Sequence, residues 1–347
     1  MRTLSLYSEL QPGLPLGDTA CRVCRYALLG RCDAVPTRSS YLARGRGVVG
    51  CHDAVAQSRM ANDLYGRFVE PGPSSHGQLQ LPQFIPAIQD GIGGLGGLCG
   101  NRVFAVYLKS ILKPSGSVRF DEPGVMRRAL GLSEDDRVGL IASADDHLME
   151  RFWRESDAQD AWRRVAGLKF DFATSFAFSS WETMPRWDQI YNIDRGLITY
   201  DLLTAHGVST IPFVLLDCSH RDREYSLQWV SERSDVDTVA VLTQCRKRPS
   251  EWAQILDEMA SFSRDVGRKI RFAVVGPSTP ARINSVLAHF PSSTIITADP
   301  FQKALHGREV LASGRSRANH FRDFASIAVS NIDWYVRQCR IAAQGTL

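Results

Sequence analysis

Short apolar runs alternate with amphipathic stretches from about Val103 to the C-terminus. The runs are rich in β-branched and aromatic residues, which is typical of strands buried in a parallel sheet, and the stretches between them have helical periodicity. Eight runs can be recognised: VFAVYL (103–108), VGLIA (138–142), LKFDF (168–172), STIPFVLL (209–216), TVAVLT (238–243), RFAVV (271–275), TIIT (294–297) and the weaker EVLA (309–312).

This alternation predicts an α/β fold with a parallel sheet. Eight units predict a (β/α)8 TIM-like barrel, and the weak eighth run leaves both a closed and an incomplete barrel open. In such barrels the chemistry takes place on the loops that follow the carboxyl ends of the strands. The candidate functional residues are therefore those that follow each run.

The chain divides into two regions. Residues 1–95 form a Gly-, Pro-, Arg- and Cys-rich N-terminal segment, and residues 96–347 form the predicted barrel. The composition, with 44% hydrophobic and 22% charged residues, is that of an ordinary globular protein. We find neither a long apolar stretch nor a signal-peptide pattern, so we expect a cytoplasmic protein without a membrane partner.

Four cysteines in the N-terminal segment have the spacing C-x2-C-x7-C-x18-C: Cys21, Cys24, Cys32 and Cys51. In a cytoplasmic protein such a cluster favours metal binding over disulfides. Four thiolates can hold a structural Zn²⁺ ion or a [4Fe-4S] cluster, and both remain open. His52 could replace one ligand, and the alternative is four free thiols.

Arginines and two tyrosines, Tyr26 and Tyr41, are interleaved with these cysteines. Basic and aromatic side chains around a metal site can contact the backbone and bases of a nucleic acid, so DNA or tRNA is a predicted partner. The arginines could instead offset the charge of a four-thiolate site. The net charge of +4 does not decide between these interpretations, and the sequence leaves the oligomeric state open.

Three aspartates are candidate catalytic residues. Asp171 lies in the third run, Asp217 follows the fourth, and Asp299 follows the seventh. Carboxylates at strand ends suit general acid–base or nucleophilic chemistry. Each also has a structural interpretation, since Asp299 precedes a proline and can cap a helix, and Asp217 can pair with a nearby arginine.

Other polar residues after the runs are candidates for substrate binding: Ser175, Arg186, His220, Gln244, Gly276 and Ser278. Gly276 and Ser278 precede a predicted helix whose first amides could bind an anion. After the second run, ASADDH supplies Asp145, Asp146 and His147, and we expect one of the two aspartates to cap the following helix.

Two resemblances bear on function. The stretch DF…MPRWDQIYNIDRGLITYDLLTAHGVSTIPFVLLD, from Asp171 to Asp217, resembles an uncharacterised domain family of phages, plasmids and bacteria. That family combines an aspartate-containing strand, a Met-Pro turn, a helix bearing an Asn and an Arg, and a Gly-x-x-x-Ile-Pro strand. The resemblance implies no established activity.

The wider layout is similar to that of tRNA-guanine transglycosylases and of relatives that insert 7-deazaguanines into DNA. Asp171 with SFAF and Asp299 in TADPF occupy places comparable to the two aspartates of those barrels. The stretch RANHFRDF, with Asn319 and His320, resembles their closing His-Asn helix. The resemblance implies base exchange, with Asp299 as nucleophile and Asp171 as base or base-recognising acid.

These observations lead to one first hypothesis, a barrel enzyme that acts on a nucleobase or nucleic acid. Two alternatives stay open. One is a non-catalytic nucleic-acid-binding protein of a mobile element, with the cysteine segment as its contact. The other is a metabolic barrel enzyme with a small anionic substrate.

Overall fold

The computed structural model describes residues 62–64, 66–67, 69, 79–88, 102–180, 186–216, 220–319 and 322–345. The strands within these residues are β1 (Phe84–Ile88), β2 (Val103–Tyr107), β3 (Arg137–Ile141), β4 (Phe172–Thr174), β5 (Thr210–Ile211), β6 (Thr238–Leu242), β7 (Arg271–Val275), β8 (Thr294–Thr297), β9 (Arg308–Val310) and β10 (Ser316–Ala318). The first eight are almost wholly buried, as their continuous apolar sequences require of strands covered on both faces.

Strands β1 to β8 form one parallel sheet with the order β5-β4-β3-β2-β1-β8-β7-β6. The two strands at the ends of this order are joined by backbone hydrogen bonds beyond β5. Val214 N donates to Ala240 O at 3.0 Å, and Ala240 N donates to Pro212 O at 2.8 Å. The sheet is therefore a nearly closed barrel of the (β/α)8 type, which confirms the fold class.

Helices connect the strands and cover the outside of the barrel. They are α1 (Leu108–Ile111), α2 (Pro123–Ala129), α3 (Asp146–Glu155), α4 (Ala161–Gly167), α5 (Arg186–Ala205), α6 (His220–Ser231), α7 (Pro249–Asp265), α8 (Pro280–His289), α9 (Asp299–Leu305) and α10 (Phe324–Ala343). Polar N-caps and prolines in the first turn set several helix starts, for example Asp145 before α3 and Asp323 before α10. None of these described helices has the length and hydrophobicity needed to cross a membrane.

Two apolar cores lie on either side of the sheet. The larger fills the space between strands and helices. The smaller, inside the barrel, consists of Ile85, Ala87, Ala105, Tyr107, Ile141, Phe172, Ile211, Phe213, Ala240, Ala273, Val275, Ile296 and Ala298. The Phe172 ring fits inside the barrel because the neighbouring strand has glycine at position 139, where a Cβ would lie 2.0 Å from Cζ of Phe172. The barrel is thus packed rather than hollow.

The prediction that EVLA forms the eighth barrel strand is wrong. Residues Arg308–Val310 pair antiparallel with Ser316–Ala318 in a separate two-stranded sheet. The missing barrel strand is β1, which pairs with β2 and β8 and lies within the segment assigned to residues 1–95. Its sequence FIPAI contains Pro86, which lacks a backbone N–H and usually argues against a central strand. The stretch RANHFRDF does not begin the last helix either, since α10 starts at Phe324.

The third predicted run, residues 168–172, shares only Phe172 with the observed strand β4. Lys169 adopts a left-handed conformation, with φ of 54°, and interrupts the run LKFDF. The strand begins only at Phe172, so Asp171 precedes β4 instead of lying within it.

Residues before the barrel contact its α3 and α5 helices. The Asp63 carboxylate accepts hydrogen bonds from Trp153 Nε1 at 2.7 Å and from the Tyr191 hydroxyl at 2.5 Å. Arg67 lies over the Trp153 ring, 4.3 Å from its centroid, and donates to Ser156 Oγ at 2.7 Å. Burial acts to raise the pKa of Asp63, but the hydrogen bonds outweigh it and lower that pKa. These contacts fix residues 63 and 67 beside the helices that border the site described next.

Candidate active site at the carboxyl end of the barrel

A cavity of about 600 Å³ opens at the carboxyl ends of β3, β4, β5 and β6. Its walls come from the segments that follow these four strands and from one face of α5. Apolar residues such as Phe178 and Phe213 form part of the wall. The polar part of the lining includes Asp146, His147, Ser179, Asn192, Cys245 and Arg246. Position and volume are those of a small-molecule site in a barrel enzyme.

Asp145 and Asp146 are the acids among the described residues that line this cavity. Asp145 caps α3 by accepting a hydrogen bond from Leu148 N at 3.1 Å, which confirms that one of the two aspartates is a cap. Asp146 instead accepts a hydrogen bond from Ser179 Oγ at 2.5 Å. The carboxylate is therefore fixed at the cavity by the loop that follows β4.

Hydrogen bonds connect the loop around Ser179 to a buried arginine. Asn192 Nδ2 donates to Ser179 O at 2.6 Å, and Arg195 donates to Asn192 Oδ1 at 2.5 Å. Arg195 also makes two hydrogen bonds to the Glu150 carboxylate, at 2.9 and 2.7 Å. We call this set, Glu150–Arg195–Asn192–Ser179–Asp146, the buried relay. It links α3, α5 and the β4 loop, so the site geometry depends on all three.

Arg195 has no solvent exposure. Its guanidinium lies 3.8 Å from the centroid of Phe178 and 4.6 Å from that of Tyr191. A bidentate carboxylate and two aromatic faces together compensate for the loss of hydration of the buried charge. The relay is thus anchored at its inner end.

Aromatic rings stiffen the wall on the β4 side. Phe176 lies 5.0 Å from Phe152 and 5.3 Å from Trp162, measured between ring centroids. Its backbone N–H donates to Thr199 Oγ1 at 2.8 Å, and Thr199 in turn donates to Gly196 O. The close approach of the loop to α5 favours glycine there, since a Cβ at Gly196 would lie 3.0 Å from Phe176 O.

The barrel axis is closed at this end by Tyr107 and Gln244. Gln244 Nε2 donates to the Tyr107 hydroxyl at 2.8 Å. Burial raises the pKa of Tyr107 to about 12, although the bond from Gln244 acts in the opposite direction, so the phenol is neutral at physiological pH. Gly276, with φ of 104°, packs against Gln244, where a Cβ would lie 2.5 Å from its Cγ. Two predicted binding residues, Gln244 and Gly276, are therefore in contact.

The placement of Asp171 at a strand mouth is wrong. It lies at the amino end of β4, where Oδ2 accepts a hydrogen bond from Val138 N at 2.7 Å. Its Oδ1 lies 3.4 Å from Arg137 Nε. Residues at this end of a barrel serve stability rather than chemistry. The displacement of β4 by the left-handed Lys169 explains the error.

Asp299 follows β8, as predicted, but its carboxylate is turned towards the helices. It accepts hydrogen bonds from Lys303 and from the Tyr335 hydroxyl, and Lys303 Nζ lies 3.1 Å from that hydroxyl. Burial and the charge of Asp299 raise the pKa of Tyr335. The Tyr335 ring stacks on Phe84 of β1. Asp299 therefore joins α9, α10 and β1, apart from the cavity lining.

The remaining predicted residues divide into two groups. Ser175 is fully buried at the end of β4, where its Oγ accepts a hydrogen bond from Phe213 N at 2.9 Å, and Ser278 is exposed before α8. Asp217, the side chains of Arg186 and His220, and the proposed metal ligands Cys21, Cys24, Cys32 and Cys51 lie outside what the structure describes. Within the described residues, no group of three or more His, Cys, Asp or Glu side chains is placed to hold a metal ion.

Asn192 and Arg195 are candidate site residues that no individual sequence motif indicates. The signal lay in the resemblance to the phage and plasmid family, which notes an Asn and an Arg on one helix. Their spacing of three residues puts both on one face of α5. The partner Glu150 lies on another helix, which no local pattern indicates.

Comparison with known proteins identifies no family for this chain. No protein-family model matches the chain, and no curated protein matches it. Among solved structures, the α subunit of tryptophan synthase from Legionella pneumophila str. Paris is similar over 82% of this chain and 98% of that chain, with 11% sequence identity and a TM-score of 0.44. The class that the structure defines is a (β/α)8-type barrel protein.

Proposed function

We propose that this protein is an enzyme that binds a nucleobase-bearing substrate in the strand-end cavity and uses Asp146 as its catalytic carboxylate. The observation that carries the proposal is the fixation of Asp146 at the cavity by the buried relay. A catalytic group must be held in place by other residues.

The lining suits a planar heterocycle. Aromatic side chains provide apolar surface for a ring face, and Asp146 and Arg246 provide an acceptor and donors for its edge. Proteins recognise unpaired bases by this combination of stacking and edge hydrogen bonds. His147 follows Asp146 in the first turn of α3 and is exposed, so it is available for proton transfer.

Base exchange is the reaction that the resemblance to tRNA-guanine transglycosylases implies, and we propose it with Asp146 in place of Asp299. The Asp146 carboxylate attacks C1′ of the nucleotide, and the N-glycosidic bond breaks as the departing base takes a proton from His147. The incoming base then gives a proton to His147, attacks C1′ and releases the carboxylate. Neither step consumes an oxidant or a reductant.

Asp146→Asn tests this proposal, and Asp171→Asn is the matched control at the other end of the barrel. The assay measures incorporation of labelled guanine into tRNA and duplex DNA, together with calorimetric binding of guanine. We expect Asp146→Asn to reduce exchange by about 10²- to 10⁴-fold, as loss of an essential acid–base or nucleophilic group does. Asp171→Asn should retain exchange.

Three results would contradict the proposal: full exchange activity in Asp146→Asn, a loss in Asp171→Asn of the same size, or no exchange by the unsubstituted protein. Nucleic-acid binding without exchange would favour the non-catalytic alternative.

One observation favours the alternative of a small anionic substrate. Arg246 belongs to the cavity lining, and arginine binds carboxylates and phosphates with paired hydrogen bonds. Binding of inorganic phosphate or a small carboxylate, together with failure to bind any of the common nucleobases, would support that alternative. Both measurements can be made in one calorimetric series.

A further inference from the structure

We propose that the loop between β6 and α7 binds the phosphate group of a nucleotide whose base occupies the cavity. The basic rim that would do so consists of Arg246, Lys247, Arg248 and Arg282. The inference rests on the proposed function for the identity of the base, and it adds the phosphate as a second recognised group.

The backbone of this loop is held in one conformation. Arg246 N donates to Thr243 O at 3.0 Å, and Lys247 N donates to Cys245 O at 3.1 Å. From the neighbouring helix α8, Arg282 donates to Lys247 O at 2.7 Å. A preformed loop loses little conformational entropy when it binds a ligand.

Arg282 is itself fixed by α7. Its guanidinium lies 4.9 Å from the centroid of the Trp252 ring, and Trp252 Nε1 donates to Ser285 Oγ at 2.9 Å. The aromatic face leaves the edge of the guanidinium plane free to donate hydrogen bonds, and one of these donors reaches the loop. The rim is therefore supported from α7 and α8 together.

The rim presents cationic side chains beside the cavity. Arg246 lines the cavity, Lys247 is exposed, and the Arg248 side chain is 81% exposed. Glu251 accepts a hydrogen bond from Arg248 N at 3.0 Å and lies 3.9 Å from Arg248 Nε. An anion placed beside Lys247 and Arg248 would receive charge-assisted hydrogen bonds from these exposed cations.

The same loop connects the rim to the barrel axis. Gln244, which contacts Tyr107 and Gly276, stands four residues before Arg248, so the two Cα atoms are at most about 14 Å apart. Arg246, between them, lines the cavity. This puts a hydrogen-bonding amide, a cavity-lining arginine and the exposed cations within the reach of one nucleotide.

The experiment compares Lys247→Gln/Arg248→Gln with Arg163→Gln/Lys169→Gln, a matched loss of two exposed charges near the amino end of the barrel. Isothermal calorimetry measures binding of the common ribonucleosides, their 5′-monophosphates and a short single-stranded oligonucleotide. We expect the unsubstituted protein and the control to bind one monophosphate about tenfold more tightly than its nucleoside, as a charge-assisted hydrogen bond provides. The rim variant should lose this difference and keep its nucleoside affinity.

The source of the phosphate is distinguished by the oligonucleotide. If the rim binds a polynucleotide, the rim variant lowers the dependence of log K on log salt by about 0.7 for each lost phosphate contact. If the oligonucleotide binds no more tightly than the monophosphate, the ligand is a free nucleotide.

Two results overturn the inference while the base-binding proposal stands: monophosphates that bind no more tightly than nucleosides, or a rim variant that keeps the full difference. Absence of binding by nucleosides and nucleotides alike overturns the proposed function and the inference together. Circular dichroism and thermal midpoints check that both variants are folded.

Discussion

The two ends of the barrel hold their charged side chains in different ways. At the amino end, Asp171 accepts a hydrogen bond from Val138 N and lies beside Arg137, and Asp237 pairs with Arg271 at 2.7 Å. These pairs join neighbouring strands. At the carboxyl end, residues that follow four successive strands line a cavity, and the buried relay supports Asp146 from behind.

This difference shows that a carboxylate near a strand takes its role from the end at which it lies. Asp171 and Asp146 are both next to barrel strands, and both have hydrogen-bonded partners. Of the two, Asp146 belongs to the lining of the cavity. The predictions below test whether the ends differ in energetics as well as in position.

The largest expected effect is that of Arg195→Met at the carboxyl end. The substitution removes the buried guanidinium that makes two hydrogen bonds to the Glu150 carboxylate, and breaking a buried ion pair in this way costs about 3–5 kcal/mol. The matched change at the amino end is Arg137→Met, which removes a partly exposed pair and should cost about 0–1 kcal/mol. Urea unfolding measures both free energies. Equal losses would remove the energetic difference between the ends.

The pH dependence of stability tests the amino end of the barrel through the buried carboxyl group of Asp201. This residue lies near the end of α5 that points to the amino end of the barrel, paired with Arg233 at 2.9 Å. Burial raises its pKa from 3.8 to about 6 in spite of Arg233. Because the folded state binds this proton more tightly than the unfolded state, stability falls as pH rises from about 4 to about 7, by up to about 3 kcal/mol.

Asp201→Asn should remove this component. The difference in unfolding free energy between the variant and the unsubstituted protein, measured in urea at both ends of that pH range, should change in favour of the variant at the higher pH. A difference that is independent of pH would show that the burial of Asp201 has no energetic consequence.

Gly276→Ala tests the packing of Gln244 at the carboxyl end. The added Cβ meets Gln244, and φ of 104° is strained for alanine, so we expect a loss of about 2–3 kcal/mol. The control is Gly267→Ala, at φ of 72° with no heavy atom within 4 Å of the new Cβ, which should cost about 1 kcal/mol. Thermal unfolding compares the two. A larger loss in the control would contradict the close contact with Gln244.

The smallest effect is expected for Asp171→Asn. The amide oxygen can still accept a hydrogen bond from Val138 N, and the pair with Arg137 is partly exposed, so the cost is about 1 kcal/mol. Ligand affinity in the cavity should not change. A weakened affinity would show that the two ends are coupled.

Most of the fold could be predicted because the barrel strands carry continuous apolar runs, which can be recognised from local sequence without knowledge of the strands that pair with them. Seven of the predicted runs overlap barrel strands. The exception, β1, contains Pro86, and it is held in the sheet by its position between β2 and β8. EVLA has suitable residues but pairs with Ser316–Ala318, a choice that depends on the partner strand and not on its own pattern.

The site could be predicted only in part. The loops that follow the strands were identified, and so was the helix cap after β3. The end at which Asp171 lies depends on the conformation of Lys169, and the direction of the Asp299 carboxylate depends on Tyr335 of a helix near the C-terminus. The relay required contacts between α3 and α5 that no linear pattern encodes.

The pairing of β1 with β8 affects how the protein can fold while it is being synthesised. Phe84 lies opposite Ile295, so one edge of β1 has no partner until β8, seven barrel strands later, has left the ribosome. Contacts between such distant parts of a chain form slowly, and an unpaired apolar edge invites association with other chains. We therefore expect nascent chains that stop before β8 to depend on chaperones, and full-length chains to be released from them.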